Sequence, residues 1–276
     1  MILRFPKGLK KAVTLSYDDG VQQDRHLIEI LDRYGIRATF NLNSGCFAKE
    51  GTVYPQGQVH RRMTLAECKA AYDTSVHEVA VHGLMHFSPD MLSKPQLVHE
   101  FMTDRENLER EFGGLVRGAA YAFGCYSDDA VRVLEDCGIR YCRTVHSTHS
   151  FNLPANWLTL DPTCHHDDEQ LFPLVDKFLA DNCRFSSRLF YLWGHAYEFE
   201  GNNNWERIEE FCKKMSGHDD IWYCTNIEVR DYEDAYRSLI FSADSKRAYN
   251  PTVTDVWGEE EGKIYYFPAG KVTEIE

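Results

Sequence analysis

Short apolar runs alternate with helical patterns through most of the chain, and this alternation predicts its architecture. Several of the runs are apolar at nearly every position, which is typical of strands buried on both faces of a sheet. The predicted strands are Ala12–Tyr17, Ala38–Leu42, Glu78–Val81, Val116–Tyr121, Tyr141–Arg143, Leu189–Trp193 and Ile221–Thr225. The helical patterns between them are Asp24–Tyr34, Thr64–Ala71, Pro95–Phe112, Ser127–Cys137 and Trp205–Met215. We therefore predict an α/β fold with a parallel sheet, either a barrel or a doubly wound layer.

The pattern changes at Phe241. From there to the end of the chain, turn residues separate short alternating strands, and no helical periodicity remains. We predict a main domain over residues 1–240 and a small C-terminal β appendage over residues 241–276 that packs on it.

Composition narrows the class of protein. The 276 residues are 43% hydrophobic, as in a soluble globular protein, and no stretch approaches the ~20 apolar residues of a membrane-spanning helix. The formal net charge of −13 argues against nucleic acid or an anionic membrane as a partner. The nine cysteines include no Cys-x-x-Cys pair, so they predict reduced thiols rather than a structural metal site. Because no basic and apolar leader precedes the first strand pattern, we expect a cytoplasmic protein.

Three polar motifs each follow a predicted strand: the adjacent acids Asp18 and Asp19, the pair His82 and His86, and His195. Each motif alone has a simpler explanation, namely a solvated turn, a surface pair of histidines or a hydrogen-bonded structural histidine. Their shared position favours function, because active sites of parallel α/β folds collect at the carboxyl ends of the strands. An acid and two histidines at that edge predict a metal site with open coordination positions, as in catalytic zinc sites.

The order of these motifs resembles the polysaccharide deacetylase family, also called carbohydrate esterase family 4 or the NodB homology domain. The segment SYDDG is similar to the family's T-F-D-D-G, VHGLMH to its H-[ST]-x-x-x-H, and WGH to its final L-x-H. The resemblance extends over about residues 10 to 225. It implies an irregular (β/α)7-type barrel, with the small β appendage added at the C-terminus.

The resemblance also implies a role for each motif residue. Asp19, His82 and His86 would bind one divalent metal ion, zinc by preference, with cobalt, nickel or iron as alternatives. Asp18 would act as the general base and His195 as the general acid.

Two departures from the family pattern stand out. The segment Ala120–Gly124 is similar to the family's R-P-P-Y-G, so the backbone N–H of Phe123 would help to bind the oxyanion. Ala120, however, stands where the family has an arginine that braces the base, so that the brace is missing or is supplied by Arg117 from elsewhere. The fourth motif of the family is not recognisable; in its approximate place, residues 161–168 contain His165 and His166, which either lie in a solvated loop or enter the site.

The predicted activity is removal of acetyl groups from an N- or O-acetylated sugar. The open alternatives are hydrolysis of a small amide, imide or ureide on the same scaffold, and a non-catalytic sugar-binding relative. The predicted partner is an acetylated sugar or oligosaccharide, and the pattern says nothing of the oligomeric state. Side chains that would contact the substrate are Tyr17, Tyr126, Trp193, His165 and His166.

Overall fold

A parallel sheet surrounded by helices forms the centre of the computed structural model, which describes residues 1–275 and leaves only Glu276 of the predicted appendage outside. The strands are β1 Ile2–Arg4, β2 Lys11–Asp18, β3 Ala38–Leu42, β4 Glu78–Val81, β5 Gly118–Ala120, β6 Tyr141–Arg143, β7 Cys164–His165, β8 Arg188–Gly194, β9 Ile221–Tyr223, β10 Ile240–Phe241, β11 Arg247–Tyr249, β12 Val256–Glu260, β13 Lys263–Phe267 and β14 Val272–Glu274. The helices are α1 Asp24–Tyr34, α2 Leu65–Ala71, α3 Lys94–Phe112, α4 Asp128–Asp136, α5 Leu171–Ala180, α6 Ala196–Gly201, α7 Trp205–Met215 and α8 Asn226–Arg237.

The central sheet has eight strands in the order β6-β5-β4-β3-β2-β8-β7, and β9 pairs with β2 beside β3. All of its pairings are parallel. The two edges approach each other, because Leu160 forms a parallel bridge with Arg143 of β6 and the chain then enters β7 beside β8. The seven predicted strands all belong to this sheet, and β7 is the one that the pattern does not predict. The predicted irregular (β/α) barrel is confirmed.

Burial explains why these segments form the sheet. Every residue of β2 is buried, as expected for the strand that pairs with three neighbours. Helix α1 packs Leu27 and Leu31 into the core and ends at Gly35, whose φ of 64° suits a residue without a Cβ atom. Helix α2 begins with the predicted capping box between Thr64 and Glu67. The helices thus cover the outer face of the sheet and leave the strand ends free to carry polar groups.

The C-terminal segment forms two small antiparallel sheets, β10-β11-β14 and β1-β12-β13. The second of these takes its edge strand from the N-terminus, where Leu3 pairs with Gly258. The division into two domains stays a prediction. All nine cysteines are free thiols. Within residues 1–275, no helix has the length and apolar character needed to cross a membrane.

Candidate active site

The carboxyl edge of the sheet brings the three sequence motifs together. Asp18 ends β2 and Asp19 follows it; His82 and His86 follow β4, and His195 follows β8. Strands β2, β3 and β4 are consecutive neighbours, and β8 lies on the other side of β2. Parallel strands about 4.8 Å apart that end together deliver their next residues to one rim. The motifs, which are separated by more than 60 residues along the chain, therefore share one site.

Asp19 sits in a tight turn that aims its carboxylate across this rim. Its φ is 84°, and Gly20 follows with a φ of 63°, so the chain leaves β2 sharply. Arg62 donates to Asp19 Oδ1 over 2.8 Å, and the Nε2 atom of His60 lies 3.1 Å from Oδ2. Burial alone would raise the pKa of Asp19, but the hydrogen bond with His60 and the charge of Arg62 hold it well below its usual range. Asp19 is therefore an ionised carboxylate at neutral pH.

The two histidines after β4 face each other through their Nε2 atoms, which lie 3.2 Å apart. The Nδ1 atom of His82 lies 2.9 Å from the carbonyl oxygen of Ala120. Since a carbonyl only accepts hydrogen bonds, Nδ1 carries the ring proton and Nε2 presents a lone pair. Burial lowers the pKa of His82, and burial together with the nearby His82 lowers the pKa of His86 to about 4. Both rings are neutral at pH 7, as metal ligands must be.

These three side chains fit a divalent ion. One ligand atom from each of Asp19, His82 and His86 lies within 4.8 Å of the other two. The Nε2 atoms of the two histidines lie 3.2 Å apart, and that of His82 presents a lone pair. A cation bound by both nitrogens would require a spacing of this kind. An acid and two neutral imidazoles are a donor set that zinc and the neighbouring transition metals accept.

Asp18 is held in place by a charge from another strand. Its Oδ2 accepts a short hydrogen bond from Arg143, and its Oδ1 accepts one from Asn41 over 2.8 Å. Burial alone would raise the pKa of Asp18, but Arg143 and then His82 and His195 hold it below its usual range. Asp18 is thus ionised and oriented as a proton acceptor.

Arg143 corrects the expectation that the brace is absent or comes from Arg117. Arg117 forms a two-pronged ion pair with Asp231 on α8, through contacts of 2.8 and 2.6 Å. Arg143 is fully buried in β6, where it pairs in register with Ala120 of β5. Neighbouring residues in a parallel register project their side chains to the same face. The guanidinium therefore lies on the same face of the sheet as the side chain of Ala120, the position at which the family pattern has its arginine.

The predicted substrate contacts fall into two groups. Tyr17 and His166 are 0% and 1% exposed, and their rings stack on each other, so as placed they offer no surface to a ligand and the prediction is corrected for both. Trp193 is 8% exposed and covers Arg143, whose guanidinium lies 4.4 Å from its ring centroid. Its role as a substrate contact stays a prediction. Tyr126 is 42% exposed and stacks on Tyr121 at the rim.

Phe123 and His165 lie beside His86 and His195, respectively. Phe123 has a φ of 59° in the 3₁₀ turn after β5, and its 64% exposed ring packs edge-on against His86. Phe123 thus neighbours His86, and the oxyanion contact through its backbone N–H stays a prediction. His165 is partly exposed, and its Nε2 atom lies 3.1 Å from Glu198 Oε2.

Four residues of this site escape a reading of the motifs: His60, Arg62, Arg143 and Glu198. Arg62 reaches Asp19 because residues 61–63 pair with the turn after β2, through Met63 N to Gly20 O and Gln22 N to Arg61 O. No pattern in the sequence predicts that pairing. Glu198 does carry a signal, since it lies three residues after His195, at the spacing of a helix capping box.

Comparisons with known proteins agree with this fold. The family model described as polysaccharide deacetylase matches residues 6–142. The fold is similar to the crystal structure of a Mycobacterium smegmatis protein assigned to the polysaccharide deacetylases, with 14% identity and a TM-score of 0.59 over 86% of this chain and 94% of that one. It is also similar to a wild-type carbohydrate esterase family 4 pseudoenzyme from Bacillus anthracis, with 16% identity and a TM-score of 0.50 over 84% of this chain and 68% of that one.

A third structure, the deacetylase PplD from Streptococcus pyogenes in complex with acetate, has 17% identity and a TM-score of 0.46 over 53% of this chain; the match spans 61% of that protein's length. No curated protein matches the chain. At these identities the likeness to solved structures shows the fold, so the chemistry has to be argued from the residues of this chain.

Proposed function

Because the chain belongs to the polysaccharide deacetylase family, we propose that it is a metal-dependent hydrolase that removes an acetyl group from an N- or O-acetylated sugar. One observation carries the proposal. Asp18 Oδ2 lies 3.7 Å from His82 Nε2 and 3.8 Å from His195 Nε2, so a base and an acid stand beside the ligand triad. General acid–base hydrolysis needs both groups within reach of one reacting carbonyl.

Asp19, His82 and His86 would hold the ion. A divalent metal bound there would polarise the acetyl carbonyl and make water a stronger nucleophile at neutral pH. Zinc suits the donor set best, with cobalt, nickel and iron as alternatives.

The chain's own groups carry the proton transfers. The carboxylate of Asp18, fixed by Arg143 and Asn41, would accept the proton of the attacking water. The N–H of Phe123 would donate to the oxyanion as the carbonyl carbon becomes tetrahedral, a contact that is worth about 3 kcal/mol in related sites. The C–N or C–O bond to the sugar then breaks, and His195 Nε2–H would supply the proton that the departing amine or alkoxide needs. The products are acetate and the deacetylated sugar.

Exposed aromatic surface supports a sugar as the substrate. Tyr126 and Phe123 project from the rim with 42% and 64% of their surface exposed. Flat aromatic faces at the edge of a polar site are suited to stacking on sugar rings. A small amide or imide would not need this surface, and the substrate screen below separates the two possibilities.

The existence of a pseudoenzyme with this fold means that the fold alone does not establish activity. What supports catalysis here is that the groups for metal binding, proton removal and proton donation are all present and mutually oriented. A non-catalytic sugar-binding protein would have no need of a buried base with a dedicated arginine.

The test is acetate release from a panel of acetylated mono- and oligosaccharides, with small amides and imides alongside, before and after chelation and zinc reconstitution. Asp19→Asn should lose both metal and activity, because it removes a charged ligand. Asp18→Asn should keep the metal and lose about 10²- to 10⁴-fold in kcat. Asp244→Asn, which changes an acid in the C-terminal segment, serves as the control. Binding of sugars without any turnover in the reconstituted protein would contradict the proposal, and turnover of amides alone would replace the substrate.

A further inference from the structure

The carboxylate of Glu198 is the centre of a histidine cluster that the motifs do not explain. Glu198 is the third residue of α6, and His195 is the residue that caps this helix. Glu198 Oε1 lies 3.2 Å from His195 Nδ1, and Oε2 accepts the backbone N–H of His195 over 3.1 Å. The same Oε2 lies 3.1 Å from the Nε2 atoms of both His165 and His166. One carboxylate is therefore surrounded by three imidazoles from two different elements.

The surroundings of His165 show which of its ring nitrogens carries the proton. The backbone N–H of Asp167 donates to His165 Nδ1 over 3.1 Å. A nitrogen that accepts a hydrogen bond cannot carry the ring proton, so the proton lies on Nε2, the nitrogen 3.1 Å from Glu198 Oε2. For the same reason His165 is badly prepared to bind a cation through Nε2, because that would force a proton onto Nδ1 against the backbone donor. His165 thus faces Glu198 with its proton-bearing nitrogen, an arrangement that suits a neighbour of the carboxylate better than a metal ligand.

His166 lies against Glu198 on the side of the interior. It is 1% exposed, with its ring 4.1 Å from that of Phe199 and stacked on Tyr17. Burial lowers the pKa of His166 to about 4, so this ring is neutral at pH 7. Burial alone would raise the pKa of Glu198, yet the three histidines around it hold it well below its usual range. Glu198 is therefore ionised at neutral pH.

From this geometry we infer that Glu198 is the positioning residue of His195, and that His165, itself held by the Asp167 backbone N–H, fixes Glu198 in turn. The inference rests on the proposed deacetylase function. With Nδ1 facing Glu198, the imidazole has one orientation, in which Nε2 points toward Asp18 at 3.8 Å. A fixed anion on Nδ1 also stabilises the doubly protonated ring, which is the form that can give a proton to a leaving group.

The surroundings of His195 on every side agree with this role. Asp18 and Asp19 face it from the end of β2, Glu198 from its own helix, and the rings of Trp193 and Tyr197 pack at 5.7 and 5.2 Å. Burial alone would lower the pKa of His195, but the adjacent carboxylate of Glu198 and the charges of Asp18 and Asp19 raise it overall. These groups thus favour the protonated form of the ring.

Glu198→Gln tests the inference, with Glu200→Gln as the matched control on the same helix. Glu200 pairs with Arg61 and Gln23 and contacts no histidine of the cluster. In zinc-reconstituted Glu198→Gln, kcat for an N-acetylated sugar should fall by about 10²-fold or more, KM should stay within about twofold, and an activated aryl acetate should be spared. The basic limb of the pH profile should move to lower pH by about one unit. Glu198→Asp, which keeps the charge, should recover part of kcat.

A second measurement separates this inference from the proposed function. In ring-nitrogen NMR of the zinc-reconstituted protein, the titration of His195 should move to lower pH in Glu198→Gln and stay unchanged in Glu200→Gln. If the titration moves and no substrate releases acetate, the positioning role stands and the proposed function fails. If the sugar and the aryl acetate lose activity equally, or if the His195 titration does not move, the positioning role is overturned.

Discussion

Arg143→Met removes the charge that holds Asp18 and keeps most of the length and apolar surface of the side chain. Arg143 is fully buried and Asp18 is 2% exposed, so the carboxylate left behind would be an ionised group in the interior with Asn41 as its remaining close donor. Removing one partner of a buried ion pair costs about 3–5 kcal/mol. The lost stacking of the guanidinium on Trp193, at 4.4 Å, adds to that cost.

Urea unfolding followed by circular dichroism gives the free energy of unfolding directly. We expect Arg143→Met to be less stable by about 3–5 kcal/mol, which for a chain of this size corresponds to a fall in Tm of roughly 10 °C. Asp18→Asn should cost less, because an amide can keep one hydrogen bond. The double variant Arg143→Met/Asp18→Asn should lose clearly less stability than the sum of the two single losses, since no buried charge is then left without a partner. Strict additivity of the two single losses would refute the ion pair.

The register of the sheet offers a rescue. Ala120 pairs with Arg143 in the parallel ladder between β5 and β6, so a side chain on either residue can reach the same space. In Ala120→Arg/Arg143→Ala, the guanidinium starts from the neighbouring strand and the volume that it needs has been vacated. We expect kcat to recover at least tenfold over Arg143→Ala, with the zinc content unchanged. A folded, zinc-loaded double variant with no recovery would show that the position of the strand, and not only the charge, is required.

Two further expectations concern stability. Burial raises the pKa of Glu78 to about 7 from its ordinary 4.5, so the folded state keeps this proton to higher pH than the unfolded chain. The free energy of unfolding should therefore fall as the pH rises from about 5 to 7. Glu78→Gln should reduce that fall, and an unchanged dependence on pH would contradict the assignment. Gly194→Ala would place a Cβ atom 2.1 Å from His166 Nδ1 and should lower the free energy of unfolding by about 1–3 kcal/mol. Gly201→Ala, whose Cβ atom would approach Val59 only to 3.3 Å, should lower it little. Equal Tm values for the two variants would show that the interior relaxes freely.

The hydrophobic pattern predicts most of the main domain because its strands are buried on both faces. The bounds of β3, β4 and β6, and of helices α1 and α7, agree with the structure residue for residue. The prediction omits β7 and the helices α5, α6 and α8. Strand β7 has two residues, α6 has six, and α8 is rich in charged residues along its exposed face, so none of these shows a clear apolar periodicity. Helix α5 does bury an apolar face, and the prediction missed it.

The proposed metal ligands and the proposed acid–base pair could be located in the sequence because each follows a strand whose apolar run is visible. Arg143 could not be predicted in the same way. Its partner lies 125 residues away, and the contact exists only because β5 places β6 within reach of β2 across the curled sheet. Arg62 likewise contacts Asp19 through a loop that pairs with the turn after β2. Contacts of this kind depend on register, which is a property of the folded sheet.

The relocated groups bear on how a missing motif should be interpreted. A general base needs a positive charge at a fixed place beside its carboxylate, and a general acid needs an anion behind its ring, but neither requirement specifies the strand that supplies the group. In this chain Ala120 stands where the family pattern has an arginine, while Arg143 in the adjacent register position supplies the charge. Glu198 lies behind His195, on the helix that His195 itself caps. Loss of a motif letter is therefore weak evidence for loss of catalysis, and the geometry around Asp18 and His195 is the stronger criterion.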